Sequence, residues 1–195
     1  MPKNSLALHP RALLRATGRS VLAVSACTLL LLACSPKFDW REVHGKDAPF
    51  VVVLPAKPSS IARQINLNGT TVTMQMTAAE VDGVTFAIGT AELPDAAKAQ
   101  AALPAMKKAL VSNIKGTVKS ESSAAAAQGA PGGKRQTSSL SIEAEGVRGA
   151  TAEPTLLIAR FIAQDQRIYQ LIVIGKPQAV SRDAVDTFLT SFKLN

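Results

Sequence analysis

Two tight turns constrain this chain more than any other feature. Asn68-Gly69 and Asp82-Gly83 are dipeptides that accept positive φ at both positions, which is the geometry joining adjacent antiparallel strands. Between them Thr71–Ala78 alternates, with Val72, Met74, Met76 and Ala78 on one face. Upstream lie Phe50–Leu54, an apolar run ended by Pro55 and Pro58, and Ile61–Leu67; downstream lies Val84–Ile88. Four strands with two such turns predict an antiparallel meander.

The period then changes. After Pro94-Asp95, the residues Ala99, Leu103, Met106, Leu110 and Ile114 recur at steps of three or four and predict a helical stripe. Lys98, Lys107 and Lys108 lie off it. Pro104 predicts a kink or a break into two short helices, and Gly116 a stop. Strands resume at Thr117–Ser123 and Thr137–Ala144, with a low-complexity loop between them built from alanine, glycine and a Lys134-Arg135 pair. Thr155–Ala163 and Arg167–Ile174 predict a hairpin across Gln164–Gln166. Ser181 is a helix N-cap ahead of the stripe Val185, Phe188, Leu189 and Phe192. Runs of strands interrupted by single helices predict an α+β domain with a mostly antiparallel sheet and helices on its faces.

The N-terminus is of a different kind. Lys3, Arg11, Arg15 and Arg19 are unaccompanied by any acid and precede Val21–Ala33, thirteen residues without charge. A basic segment followed by a short apolar run is a secretory signal; a membrane-crossing helix needs about 20 apolar residues. Removing those four cations lowers the net charge from +8 to +4, so the basic composition argues for solubility rather than a nucleic-acid partner. Leu31-Leu32-Ala33-Cys34 resembles the lipobox of bacterial lipoproteins. The resemblance implies cleavage between Ala33 and Cys34, a diacylglyceryl group on the Cys34 thiol, and fatty acyl chains such as palmitate in the membrane. Ser35, in place of an Asp that would resemble an inner-membrane retention signal, implies the outer membrane with the domain facing the periplasm. Cys27 leaves with the signal, so the mature chain has no second thiol for a disulfide. Residues 34–49 read as a lipidated N-terminus and tether, spanning roughly 20 Å if flexible, with Phe38 and Trp40 placed either in the headgroup layer or at the domain's edge. Residues 50–195 read as one α+β domain.

Within that domain Phe50-Val51-Val52-Val53-Leu54-Pro55-Ala56-Lys57-Pro58, Arg160-Phe161, Arg167-Ile168-Tyr169-Gln170-Leu171 and Phe188-Leu189-Thr190-Ser191-Phe192 resemble the opening, last hairpin and last helix of PsbP-like domains, which include DcrB-like envelope lipoproteins. That resemblance implies an α/β/α sandwich and a role in binding or assembly without catalysis.

The residues argue the same way. His44, the only histidine after the signal, lies in the segment read as a tether, and one histidine without a free cysteine makes no zinc set or nucleophilic site. Gly129–Arg135 lacks the spacing and the closing Ser or Thr of a phosphate loop. Glu143 and Glu145 share a strand face at a separation that would suit paired carboxylates, but opposite Leu140 and Ile142 they read as a solvated face. Lys107, Lys108, Lys115, Lys119, Lys134 and Arg135 make the middle of the chain basic, which would favour anionic lipid or polymer if they gathered.

The sequence therefore predicts a lipid-anchored envelope protein that binds another protein, with no catalytic residue, cofactor or metal. The alternative is a binder of a small apolar ligand or lipid, in a cleft between sheet and helix left open by Ala96, Ala97, Ala99 and Ala102. A hydrolase would require clustered polar groups that the sequence does not advertise. Cys34→Ser should abolish membrane attachment and leave an uncleaved precursor; fractionation and immunoblotting check this, and a normally processed, membrane-bound mutant would refute it.

Overall fold

A computed structural model describes residues 37–130 and 133–195, excepting the side chains of 126–130 and 133–136. Residues Phe38–Asn195 form one compact unit. Among the described residues its apolar side chains gather in two clusters.

The strands are β1 (Arg41–His44), β2 (Phe50–Leu54), β3 (Ser59–Leu67), β4 (Thr70–Val81), β5 (Val84–Glu92), β6 (Thr117–Ala130), β7 (Gly133–Arg148), β8 (Glu153–Gln164), β9 (Arg167–Gly175) and β10 (Lys193–Leu194). Helix α1 (Ala96–Asn113) lies between β5 and β6, and α2 (Arg182–Ser191) precedes β10. The fold is α+β. Its main sheet has seven antiparallel strands in the order β3-β4-β5-β9-β8-β7-β6, beside a small sheet β1-β2-β10.

Both tight turns form where the sequence placed them. Asn68 and Gly69 take φ of 50° and 83°, Asp82 and Gly83 of 51° and 74°, so Leu67 pairs Thr70 and Val81 pairs Val84. The meander is β3-β4-β5 alone. Phe50–Leu54 leaves it for the small sheet, because its alternate residues Phe50, Val52 and Leu54 bury themselves on the face of the main sheet instead of extending its edge.

Strand β9 occupies the middle. Ile168, Ile172 and Ile174 point to one side, where α1 lies with Ala99, Ala102, Leu103 and Met106. Tyr169, Leu171 and Val173 point to the other, under Phe50, Val52 and Leu54 of β2 and Ala184, Val185 and Phe188 of α2. Aromatic rings interlock there: Phe86 meets Phe188 edge-on at 5.7 Å, and Phe50 meets Tyr169 edge-on at 6.1 Å. Gln170 is buried among these apolar residues because Gly89 stands opposite it. A Cβ at Gly89 would lie 2.8 Å from the Gln170 side chain and 2.5 Å from the Met76 sulfur, and the Gln170 amide donates to that sulfur at 3.2 Å.

Three expectations are corrected. Residues 34–49 are not all tether: β1 pairs β2 from Arg41↔Leu54 to His44↔Val51, the Asp39 amide donates to the Pro55 carbonyl, and Phe38, Trp40 and Val43 pack against the second cluster. An edge strand with Arg41, Glu42 and His44 turned to solvent shows too little apolar alternation to be read in advance. The alanine-rich stretch is strand rather than loop: the β6–β7 ladder continues from Thr117↔Glu145 to Ala130↔Gly133, since backbone pairing needs no large side chain. Helix α1 does not break into two at Pro104; the proline gives up one ladder bond and crowds the preceding turn, and strong helix formers on both sides carry the helix through. It starts on an Asp95 cap and ends in a Schellman turn, with Gly116 and Lys115 amides donating to the Val111 and Ser112 carbonyls.

Because both faces of β9 are covered, Leu171→Ala and Ile172→Ala should each destabilise by about 2–5 kcal/mol. Denaturant melts of the two variants measure this; a near-neutral result for either would mean its face is wet.

Candidate functional site

Among the described residues strand β3 ends the main sheet, paired to β4 on one side only. Its residues Ser59–Gln64 are exposed, and Ile61, at 52%, is the exposed large hydrophobic residue among those described. Sheet edges are ordinarily blunted by charge, proline or a cover. This one is nine residues long with Arg63 as its one charge and no proline inside it.

Beside it, the β1–β2 turn overhangs the face of β4 and β5 and encloses a cleft of about 240 Å³. Ala48, Phe50 and Ile88 supply apolar walls. The turn is held in place at two points. Gly45 donates to the Phe50 carbonyl at 2.9 Å, and a side chain there would collide with the Ala48 carbonyl and the Phe50 ring. Arg167 reaches up from β9 to the Asp47 carbonyl while its other nitrogen pairs Glu92 at 2.8 Å. On the sheet below, Ser60 and Thr77 hydroxyls satisfy each other at 2.8 Å. Thr90 is different: it is 8% exposed, and its Oγ1 is buried with no hydrogen-bond partner among the described residues. Across the ladder from it stands Tyr169, whose phenol is pushed above its ordinary range by burial.

Ala33 and Cys34 lie outside the described residues, as do Pro131 and Gly132 within the glycine-rich segment. His44 is on a strand but turned outward, its Nε2 2.7 Å from Glu42 Oε1. Glu143 and Glu145 share a face yet are separately engaged. Arg182 donates two hydrogen bonds of 2.7 Å to Glu143, and Lys119 stands 3.2 Å from Glu145. Lys107 pairs Glu121 at 2.9 Å. Two residues of the basic middle of the chain, Lys107 and Lys119, thus pair with carboxylates of β6 and β7, and no side chain of Lys134 or Arg135 is described. Of the four small residues near α1, Ala99 and Ala102 are sealed against the sheet while Ala96 and Ala97 are exposed; the buried pair draws the helix close. The overhung cleft lies at another interface, between sheet and turn, and only the structure could place it. Its one sequence signal was Thr90 following the apolar alternation Val84, Phe86, Ile88.

Among the described residues no group of three or more His, Cys, Asp or Glu could hold a metal ion, and no helix is long and apolar enough to cross a membrane. Neither the protein-family models nor the curated protein sequences match this chain.

The Arg182 hydrogen bonds hold the Glu143 carboxyl below its ordinary value of 4.5, against the opposing effect of burial. A lowered folded-state pKa adds stability above the unfolded value, and that stability is lost as pH falls through the folded one. Arg182→Gln should therefore flatten the fall in melting temperature below pH ~5 while costing under about 1 kcal/mol at neutral pH, because the pair is partly solvated. Thermal melts from neutral to acidic pH test this; an unchanged acid slope would refute it.

Proposed function

We propose that this chain is a lipid-anchored cell-envelope protein, cleaved between Ala33 and Cys34 and acylated on Cys34, whose domain binds another protein without catalysis. On this reading the domain is a PsbP-like α/β/α sandwich, α1 forming one outer layer and α2 with the small sheet the other. The anchor is in the outer membrane and the domain faces the periplasm. The observation that carries the binding role is the open edge of β3. A row of amides and carbonyls with no strand partner among the described residues and little charge to repel a neighbour is satisfied most completely by another strand, and Ile61 offers that strand an apolar contact.

The start of the folded unit adds to this. Three residues separate Cys34 from Phe38, a reach of about 14 Å even when extended. The domain is then held against the membrane surface, and its partner belongs to the same layer of the envelope. The ion pairs of Lys107 and Lys119, with a net charge of only +4 outside the signal, leave little to attract nucleic acid.

A photo-reactive residue placed at Ala62, in cells, should give a discrete protein adduct that Ile61→Lys abolishes. The same residue at Lys108 on α1 should not give that adduct. No adduct from Ala62, or the same one from both positions, would overturn the edge-pairing reading.

A further inference from the structure

The overhung cleft has no part in strand pairing. A strand added to β3 would lie about 14 Å from β5, three inter-strand spacings, too far for its side chains to reach Thr90. We propose that this cleft is a binding site for a small neutral molecule with an apolar body of about one aromatic ring and a single hydroxyl group, bound through Thr90.

Three observations set the ligand's chemistry. The first is the Thr90 hydroxyl. Residues Val84, Phe86 and Ile88 fill the same face of β5, and valine at 90 would continue that row at the same volume. Threonine instead puts a buried oxygen there with no partner among the described residues. Such a group is unfavourable unless something bonds it, and a ligand hydroxyl both donates and accepts. The second is size. An apolar cavity of ~150 Å³ admits benzene, and this one holds about 240 Å³, room for one ring and its substituent. The third is charge. The cations and anions near the cleft sit at its rim, Arg167 already paired with Glu92 and Lys46 and Asp47 exposed. The walls of Ala48, Phe50 and Ile88 would make a charged ligand costly to desolvate.

The cleft is also built to stay open. Gly45 and the Arg167 bond to the Asp47 carbonyl hold the roof above the sheet, while Ser60 and Thr77 bond each other instead of closing on Thr90. A pre-formed site of this kind loses little conformational entropy on binding.

The test compares benzyl alcohol with toluene on the full chain, using amide chemical shifts. Benzyl alcohol should give saturable shifts at Thr90, Thr77 and Gly45–Ala48, with toluene at least tenfold weaker. Thr90→Val should remove that tenfold preference and Thr90→Ser should keep it, in spectra that otherwise show the native fold. Absence of saturable shifts, equal binding of the two probes, or a preference unaffected by Thr90→Val would overturn the proposal.

Discussion

Strand β9 sets the terms for everything around it. Ile168 to Val173 are six consecutive buried residues, so neither face of this strand can meet water. A sheet with such a strand at its centre must be covered twice. Helix α1 covers one face with a surface of alanine, leucine and methionine that fits closely over Ala87, Ala144, Ala159 and Ala163. The other cover is assembled from both ends of the folded unit. Strand β2 comes from its start, and α2 and β10 from its end. Lys193 pairs Val51 and Leu194 pairs Phe50, and just before β10 begins the Ser191 hydroxyl accepts the Val53 amide at 3.0 Å. The second face therefore closes only when residues more than a hundred positions apart meet, an arrangement that slows folding through its high contact order.

The small sheet is narrower than the sheet it helps to cover. Seven strands spaced about 4.8 Å apart span roughly 29 Å, while three strands span roughly 10 Å. The cover lies over β5, β9 and β8, whose Phe86, Leu171 and Ile158 most need it, and the outer part of the meander extends beyond it. From this mismatch comes the cleft beneath the β1–β2 turn, which is not a defect of packing. The residues at the edge of the cover are polar or small (Ser60, Gln75, Thr77), and the hydrogen bonds of Gly45 and Arg167 hold the turn at a defined height above them.

Charge plays a peripheral part. Its pairs sit where elements meet at the surface: Arg182 of α2 on Glu143 of β7, Lys107 of α1 on Glu121 of β6, Arg167 of β9 on Glu92 of β5. Each is at least partly solvated and so contributes modestly to stability.

Residues in local register were legible in the sequence alone. The turns at Asn68-Gly69 and Asp82-Gly83, the helical stripe from Ala99 to Ile114, the Ser181 cap and the two-faced burial of Arg167–Ile174 all follow from dihedral preference and periodicity, which act over a few residues. The lipobox-like stretch ending in Cys34 is carried by the sequence alone, its residues lying outside those described. What the tertiary structure decided depends on which surfaces remain uncovered after folding. That β2 covers the sheet and does not extend it, that β1 forms at all, that alanine and glycine residues of β6 and β7 continue a ladder, and that Thr90 ends beneath a roof without a partner are consequences of long-range pairing. Neighbouring residues carry no record of them, because backbone hydrogen bonds are blind to side-chain identity and a cleft belongs to the elements that enclose it.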